Sequence, residues 1–275
     1  MAGPRIFWLT SAERILPSPG EGSTLFPGEE LSVHLTRSLR CQKGDSFSFC
    51  QPDSGQVFRG EVTGFSPLSL SIFPLENTSS FRVQRNQSRF SMAVAPIKGD
   101  FLSQTLSQAT MCGIDRLVWL ATDRGVVRWT PEEFLRKKGR MEAIIREKSQ
   151  LAGRTDRMAL DPPMTLFDLA DDPDRSFLFF DEVASSWGGD RPWWEGVVSE
   201  VAKKEGKHEL VALIGPEGGW SERERAFLET LPPDRLFVGS LGPLILSAEA
   251  AILSVISLLG ISGGYYRNLF SSEKG

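Results

Sequence analysis

HELVALIGPEGGWSERERAFLETL, running from His208 to Leu231, decides the fold class. Leu210 to Ile214 is an unbroken apolar run with the length of a buried strand. Gly215 to Gly219 breaks that run, and Ser221 followed three residues later by Glu224 is the capping box that opens a helix. An apolar strand passing through a glycine loop into a capped helix is the repeating unit of a parallel α/β sheet, whose ligands sit at the carboxyl ends of the strands. Gly215, Gly218 and Gly219 have no Cβ, so the main chain there can come close to a ligand, while Pro216 stiffens the turn. Close approach is expected at Gly218 among them, where a valine should obstruct the ligand. An ordinary tight connection would use the same residues, so spacing alone leaves both readings open.

Downstream, LFVGSLG reads as a strand, and Ser240 to Ala251 carries a second glycine loop into an apolar helix from about Ala248 to Leu259. Leu241 to Ile261 is long enough to cross a bilayer, but Glu249 in its middle, with Gly242, Pro243 and three serines, favours a loop and a buried helix. Upstream, FSMAVAPI, RLVWLAT and FLFF read as strands. They alternate with helices at KGDFLSQTLSQATMCG, Pro131 to Ala152, and WWEGVVSEVAKKEG. That alternation predicts a mainly parallel sheet with helices on both faces over residues 89–275. Residues 1–75 differ: IFWL, LSVHL, SFSFC, QVFRGEV and LSLSIF are short, strand-like and punctuated by turn residues, the pattern of a small β-barrel. Within it HLTRSLR reads as a helical turn with Arg37 and Arg40 near one face, and residues 76–88 form a polar linker.

Cys41, Cys50 and Cys112 are odd in number and lack metal-type spacing, which argues against a disulfide framework or a zinc site and for a reducing, cytoplasmic setting. Arg5, Glu13 and Arg14 interrupt any apolar stretch a signal peptide would need. Neither a phosphate-loop motif nor Gly-x-Gly-x-x-Gly occurs, so nucleotide hydrolysis and dinucleotide binding lack their motifs. His208, after Lys207, reads as a solvated turn residue rather than a catalyst. The net charge of −4 does not suggest a nucleic-acid binder. Its distribution is uneven, however: residues 123–157 hold ten Lys or Arg against six Asp or Glu, with Arg136, Lys137, Lys138 and Arg140 in a run. That run is either a solvated helix face or a surface for RNA.

A series of short matches resembles the bacterial methyltransferases that modify N3 of a uridine in small-subunit ribosomal RNA, within the SPOUT superfamily. The series runs from Arg5-Ile6-Phe7 through His34-Leu35, Arg37, Leu39-Arg40 and Gly44-Asp45 to Lys98-Gly99-Asp100. It continues with Gln108-Ala109-Thr110, Gly113-Ile114, Thr122-Asp123-Arg124 and Gly153-Arg154, then Leu213 to Gly219, Leu241-Gly242, Ile245-Leu246 and Glu249. The order and spacing of the series carry the resemblance, which covers most of the chain. It implies a PUA-like RNA-binding barrel followed by an α/β domain tied in a trefoil knot, an exception to the rule that chains do not knot. It also implies S-adenosyl-L-methionine as cofactor, ribosomal RNA as partner and a homodimer.

Carried over by position, the cofactor pocket would comprise Phe180, Asp181, Ile214, Gly215, Pro216, Glu217, Gly218, Gly219, Leu241, Gly242, Ile245, Leu246 and Ser247. Glu217 and Glu249 are candidate bases for the uracil N3 proton, and Arg124 and Arg154 candidate stabilisers of the anion. Arg5, Arg37, Arg40, Arg136, Lys137 and Lys138 are the candidate RNA contacts. The chain departs from the family where it has Ser247 for Arg, Ala250 for Thr, Gln108 for Lys, Met111-Cys112 for Glu-Leu, and Gln150-Leu151 for Glu-Gln. The competing reading is therefore a knotted cofactor- or RNA-binding protein with lost activity or another RNA target.

Overall fold

The computed structural model describes residues 6–17, 22–75, 89–97, 101–180, 208–241, 244 and 246–262. Arg5, the linker at 76–88, Asp181, Gly242, Ile245 and the helix expected at 193–206 lie outside these residues. The chain divides into two compact units, residues 1–83 with 146–157 and residues 84–145 with 158–275.

In the first unit six strands form a sheet of order β1-β4-β5-β6-β3-β2. They are β1 (Ile6–Trp8), β2 (Arg14–Pro17), β3 (Ser23–Phe26), β4 (Ser46–Gln51), β5 (Gln56–Phe65) and β6 (Leu68–Pro74). The β1/β4 pair is parallel and the others antiparallel. Alternation explains the register: Leu68, Leu70 and Ile72 are buried, while the residues between them are not. LSVHL, expected as a strand, is instead helical. It spans the end of helix α1 (Glu29–Val33) and the start of a π-helical turn (His34–Ser38). Leu31 and Leu35, four residues apart, share the buried face of a helix, and Val33 between them is exposed.

The end of helix α3 (Pro131–Ala152) completes this unit from residue 146 onward. Gly153 takes a left-handed φ of 71° and Arg154 N–H donates to the Ser149 carbonyl at 2.9 Å, a Schellman stop that requires glycine. The chain so turned presents the Arg154 carbonyl to the Trp8 indole N–H at 2.8 Å, and Gln150 Oε1 to the Trp8 amide at 3.0 Å. Gly153-Arg154 and Gln150 thus have a structural use in tying β1 to the helix end.

All six strands of the second unit are parallel, in the order β12-β10-β11-β7-β8-β9. They are β7 (Arg89–Val94), β8 (Arg116–Ala121), β9 (Ala159–Thr165), β10 (Arg175–Phe180), β11 (Glu209–Ile214) and β12 (Leu236–Gly239). Central β11 is buried throughout, as a strand covered on both faces must be. Leu210, Ala212 and Ile214 pack in one cluster with residues of α2 (Phe101–Met111), α3 and α6 (Ala248–Ser262). Val211 and Leu213 pack in another with α4 (Leu166–Ala170) and Leu228 of α5 (Glu222–Glu229).

At the amino ends of the strands, Glu209 is buried at 6% exposure. It accepts from Arg175 Nε at 2.9 Å and from the Ser91 hydroxyl, and lies 3.0 Å from Arg116 Nε. Arg116 also binds Asp161 at 2.5 Å. Burial alone would lower the Arg116 pKa, but Asp161 and Glu209 outweigh it and hold the value raised. His208, expected in a solvated turn, is buried, with Nε2 2.8 Å from the Ser176 hydroxyl, because β11 begins directly after it. Among the described residues no helix is long and apolar enough to cross a membrane. Nor is any group of three His, Cys, Asp or Glu placed to hold a metal ion.

Candidate active site

β10, β11 and β12 end together, and the end of β10 with the described loops after β11 and β12 line a cavity of about 600 Å3. That volume falls within the roughly 300–1,000 Å3 of small-molecule sites. Its walls are Phe180 from the end of β10, residues 213–220 from β11 and its loop, and Ser240 and Leu241 after β12. Leu244, Leu246 and Ser247, then Ala248, Ala251 and Val255 of α6, add an apolar side. The cation Arg124 comes from the loop after β8, and Arg225 from α5.

Trp220, 3% exposed, lies under the loop edge-on to Phe179, with ring centroids 5.3 Å apart. A Cβ on Gly215 would stand 2.8 Å from the Trp220 ring, so this glycine is required by close packing. Gly219 is required by its φ of 67°. At Gly218 the nearest protein atoms to such a Cβ are in Arg124 at 3.4 Å, an ordinary contact.

A latch joins the glycine loop to the loop after β8. The Asp123 carboxylate accepts from Arg223 at 2.6 and 3.1 Å and from the Ser221 hydroxyl at 2.6 Å, and the Asp123 amide donates to Glu224 at 3.1 Å. The Arg223 hydrogen bonds, then that of Ser221, hold the Asp123 pKa down at about 2, so the latch is ionised throughout the neutral range. Ser221 and Glu224 also close the capping box anticipated from sequence. The adjoining Arg124 reaches the Gly218 carbonyl at 3.4 Å. Ser247, where the resemblance expected Arg, accepts the Ala250 amide at 3.3 Å and so caps the start of α6.

The cavity therefore brings together Phe180, Ile214 to Gly219, Leu241, Leu246, Ser247, Glu217 and Arg124 of the expected site. Glu249 lies in the first turn of α6, where the helix dipole favours a carboxylate, and is not among the lining residues. Arg154 belongs to the first unit, where it pairs with Asp156 at 2.6 Å. Sequence reading missed Trp220 and Arg225. The phase of α5, set by its capping box, was the signal for the latter.

Known proteins match this chain over both units. A model of the RNA methyltransferase domain family matches residues 84–260, which include the whole parallel sheet and the described cavity walls. The chain belongs to that family. Two relatives of this RNA methyltransferase bear the name ribosomal RNA small subunit methyltransferase E. That of Rickettsia conorii is 22% identical over 89% of this chain and 93% of its own. That of Aquifex aeolicus is 27% identical over 58% of this chain and 66% of its own. A structure of the Neisseria gonorrhoeae protein of the same name, bound to S-adenosyl methionine, is 17% identical with a TM-score of 0.67. It covers 94% of this chain and 97% of its own.

Proposed function

We propose that this RNA methyltransferase uses S-adenosyl-L-methionine to methylate N3 of a uridine in small-subunit ribosomal RNA. The observation that carries this reading is the cavity built on the glycine loop at the ends of β10, β11 and β12, inside the family-matched region. The names of the relatives supply the substrate class.

The cavity fits the cofactor in kind: main chain from Ile214 to Gly219 offers polar groups, and Leu241, Leu246 and Val255 offer apolar surface for a purine ring. When bound, the cofactor supplies an electrophilic methyl group. The chain's own tasks are alignment and removal of the N3 proton. In this reading Glu217, exposed on the cavity wall, takes that proton and Arg124, also on the wall, stabilises the uracil anion it leaves. A uracil paired through N3 must be unstacked first, so the target is a single-stranded or splayed segment.

The first unit serves, in this reading, as a PUA-like barrel that holds RNA. Arg37 and Arg40 are exposed there. In the second unit, among the described residues, Arg136 and Lys138 make exposed pairs with Glu133 at 3.7 Å and Glu142 at 3.8 Å, which cost little to exchange for phosphate. Lys137 lies over the Trp129 ring. The knot is proposed for the segment containing the two cavity loops, since β12 pairs with β10 rather than with β11.

A homodimer is proposed through α6, whose Leu253 is 42% exposed, as Leu244 in the preceding loop is at 76%. Light scattering should give about twice 30.5 kDa, and a monomer at micromolar concentration would contradict the dimer.

The decisive experiment pairs calorimetry of cofactor binding with transfer of labelled methyl to undermodified small subunits and mass spectrometry of the product. Binding followed by N3-methyluridine is expected. Binding without transfer would favour the lost-activity reading, and no heat from a folded sample would remove the methyltransferase and the cofactor-binding protein alike, leaving an RNA-binding or scaffold protein.

A further inference from the structure

Where the loop after β8 meets the start of α5, two side chains serve twice. The Ser221 hydroxyl accepts the Glu224 amide at 3.1 Å inside the capping box and donates its own proton to Asp123 at 2.6 Å. The Glu224 carboxylate accepts the Ser221 amide at 2.8 Å and the Asp123 amide at 3.1 Å. Arg223 adds two donors to the Asp123 carboxylate, at 2.6 and 3.1 Å. Ser221 and Glu224 cap α5 on each other, so the helix keeps its start without Asp123. The loop after β8 is the partner that depends on the junction. Arg128, further along it, donates to the Asp123 carbonyl at 3.0 Å, so this turn is braced on Asp123 as well.

The next residue, Arg124, stands on the cavity wall. A Cβ on Gly218 would lie 3.4 Å from the Cβ and carbonyl oxygen of Arg124, so its main chain rests against the glycine loop. Its guanidinium reaches the Gly218 carbonyl at 3.4 Å, longer than an ordinary N–H···O bond and therefore a weak hold. The place of Arg124 is thus set chiefly by the main chain at Asp123. Stability and catalysis respond differently to such a junction. The side chains of Arg223 and Asp123 are 67% and 33% exposed, and pairs so open to water add little to stability. Shifting a group that acts on the reacting atoms by about 1 Å can slow a reaction by about a hundredfold.

We infer that Asp123 is a positioning residue for methyl transfer: bound to Ser221, Arg223 and Glu224, it holds Arg124 against the glycine loop where the uracil anion is to be stabilised. The inference rests on the RNA methylation proposed above and on the role given there to Arg124. Asp123 itself touches neither substrate nor cofactor. Because the anion exists only along the reaction path, losing the junction acts on kcat and spares KM.

The test uses the full chain with Asp123→Asn, Arg223→Gln and the two together. Methyl transfer to undermodified small subunits gives kcat and KM, calorimetry gives cofactor affinity, and hydrogen exchange follows the amides of residues 122–128. Asp123→Asn is expected to lower kcat by about ten- to hundredfold, with KM, cofactor affinity and melting temperature near wild type. Amides of the loop after β8, that of Asp123 included, should exchange faster. Arg223→Gln should act in the same way but less, since Ser221 still holds the carboxylate. The double variant should lose no more than Asp123→Asn alone, because both changes break one pair. An unchanged kcat, or exchange as slow as in the wild type, would overturn the inference. So would cofactor affinity or melting temperature falling in step with kcat, which would make the junction a wall of the cofactor site or a structural tie, and so would losses that multiply in the double variant. A wild-type chain that transfers no methyl overturns the proposed function and this inference with it, and is told apart from the other failures because those occur with an active wild type.

Discussion

Glu209→Ala is expected to lower the unfolding free energy by about 3–5 kcal/mol, the cost of removing one partner from a buried ion cluster. The carboxylate faces Arg175 Nε at 2.9 Å and Arg116 Nε at 3.0 Å, and Arg175 is itself only 9% exposed. Without Glu209 neither cation can fully rehydrate, because both stay in the first layer of the sheet. A loss of that size is a large part of the roughly 5–15 kcal/mol that holds a domain folded. Urea unfolding measures it, and Glu209→Gln, which keeps the shape and one hydrogen-bonding oxygen, should lose less. A change below about 1 kcal/mol for the alanine variant would show that the cluster is not what joins these strands. Glu209 begins β11 whereas the cavity lies past its other end, so variant molecules that stay folded should bind cofactor as the wild type does.

Gly215→Ala should weaken cofactor binding by about ten- to hundredfold, the equivalent of the roughly 1–3 kcal/mol that overpacking costs. The new methyl would stand 2.8 Å from Cε2 and 2.9 Å from Nε1 of Trp220. That indole is buried against Phe179, so the loop and not the ring must move, and the loop is the cavity wall. Gly218→Ala, with 3.4 Å to its nearest neighbours, should bind within a few-fold of wild type. Calorimetry on the two variants decides the matter: equal affinities would remove the packing account of the loop. The contrast adds packing against Trp220 to the expectation from sequence, which ascribed close approach at these glycines to a ligand.

What could be read from the chain alone was local. The apolar run of β11, the capping box at Ser221 and Glu224, and helix α3 over Pro131–Ala152 were legible because each depends on neighbours within a few residues. The cavity loops were legible for the same reason, since glycine runs after strands mark turns wherever they occur. Two local readings failed where local rules conflict. LSVHL alternates like a strand, yet its buried leucines are four apart and satisfy a helix better. β9 did not figure in that reading: its Pro162 and Pro163 disfavour a strand, and it exists because it lies at the sheet edge, where missing N–H donors are tolerated. The rest needed partners far away in sequence. Asp123 meets Arg223 a hundred residues on, Trp8 donates to the Arg154 carbonyl, His208 is buried beside Ser176, and Arg225 reaches the cavity instead of solvent. A charged or aromatic side chain has the same local preferences whichever distant group it meets, so only the folded chain determines which arginine is a latch, which a cluster member and which a wall of the site.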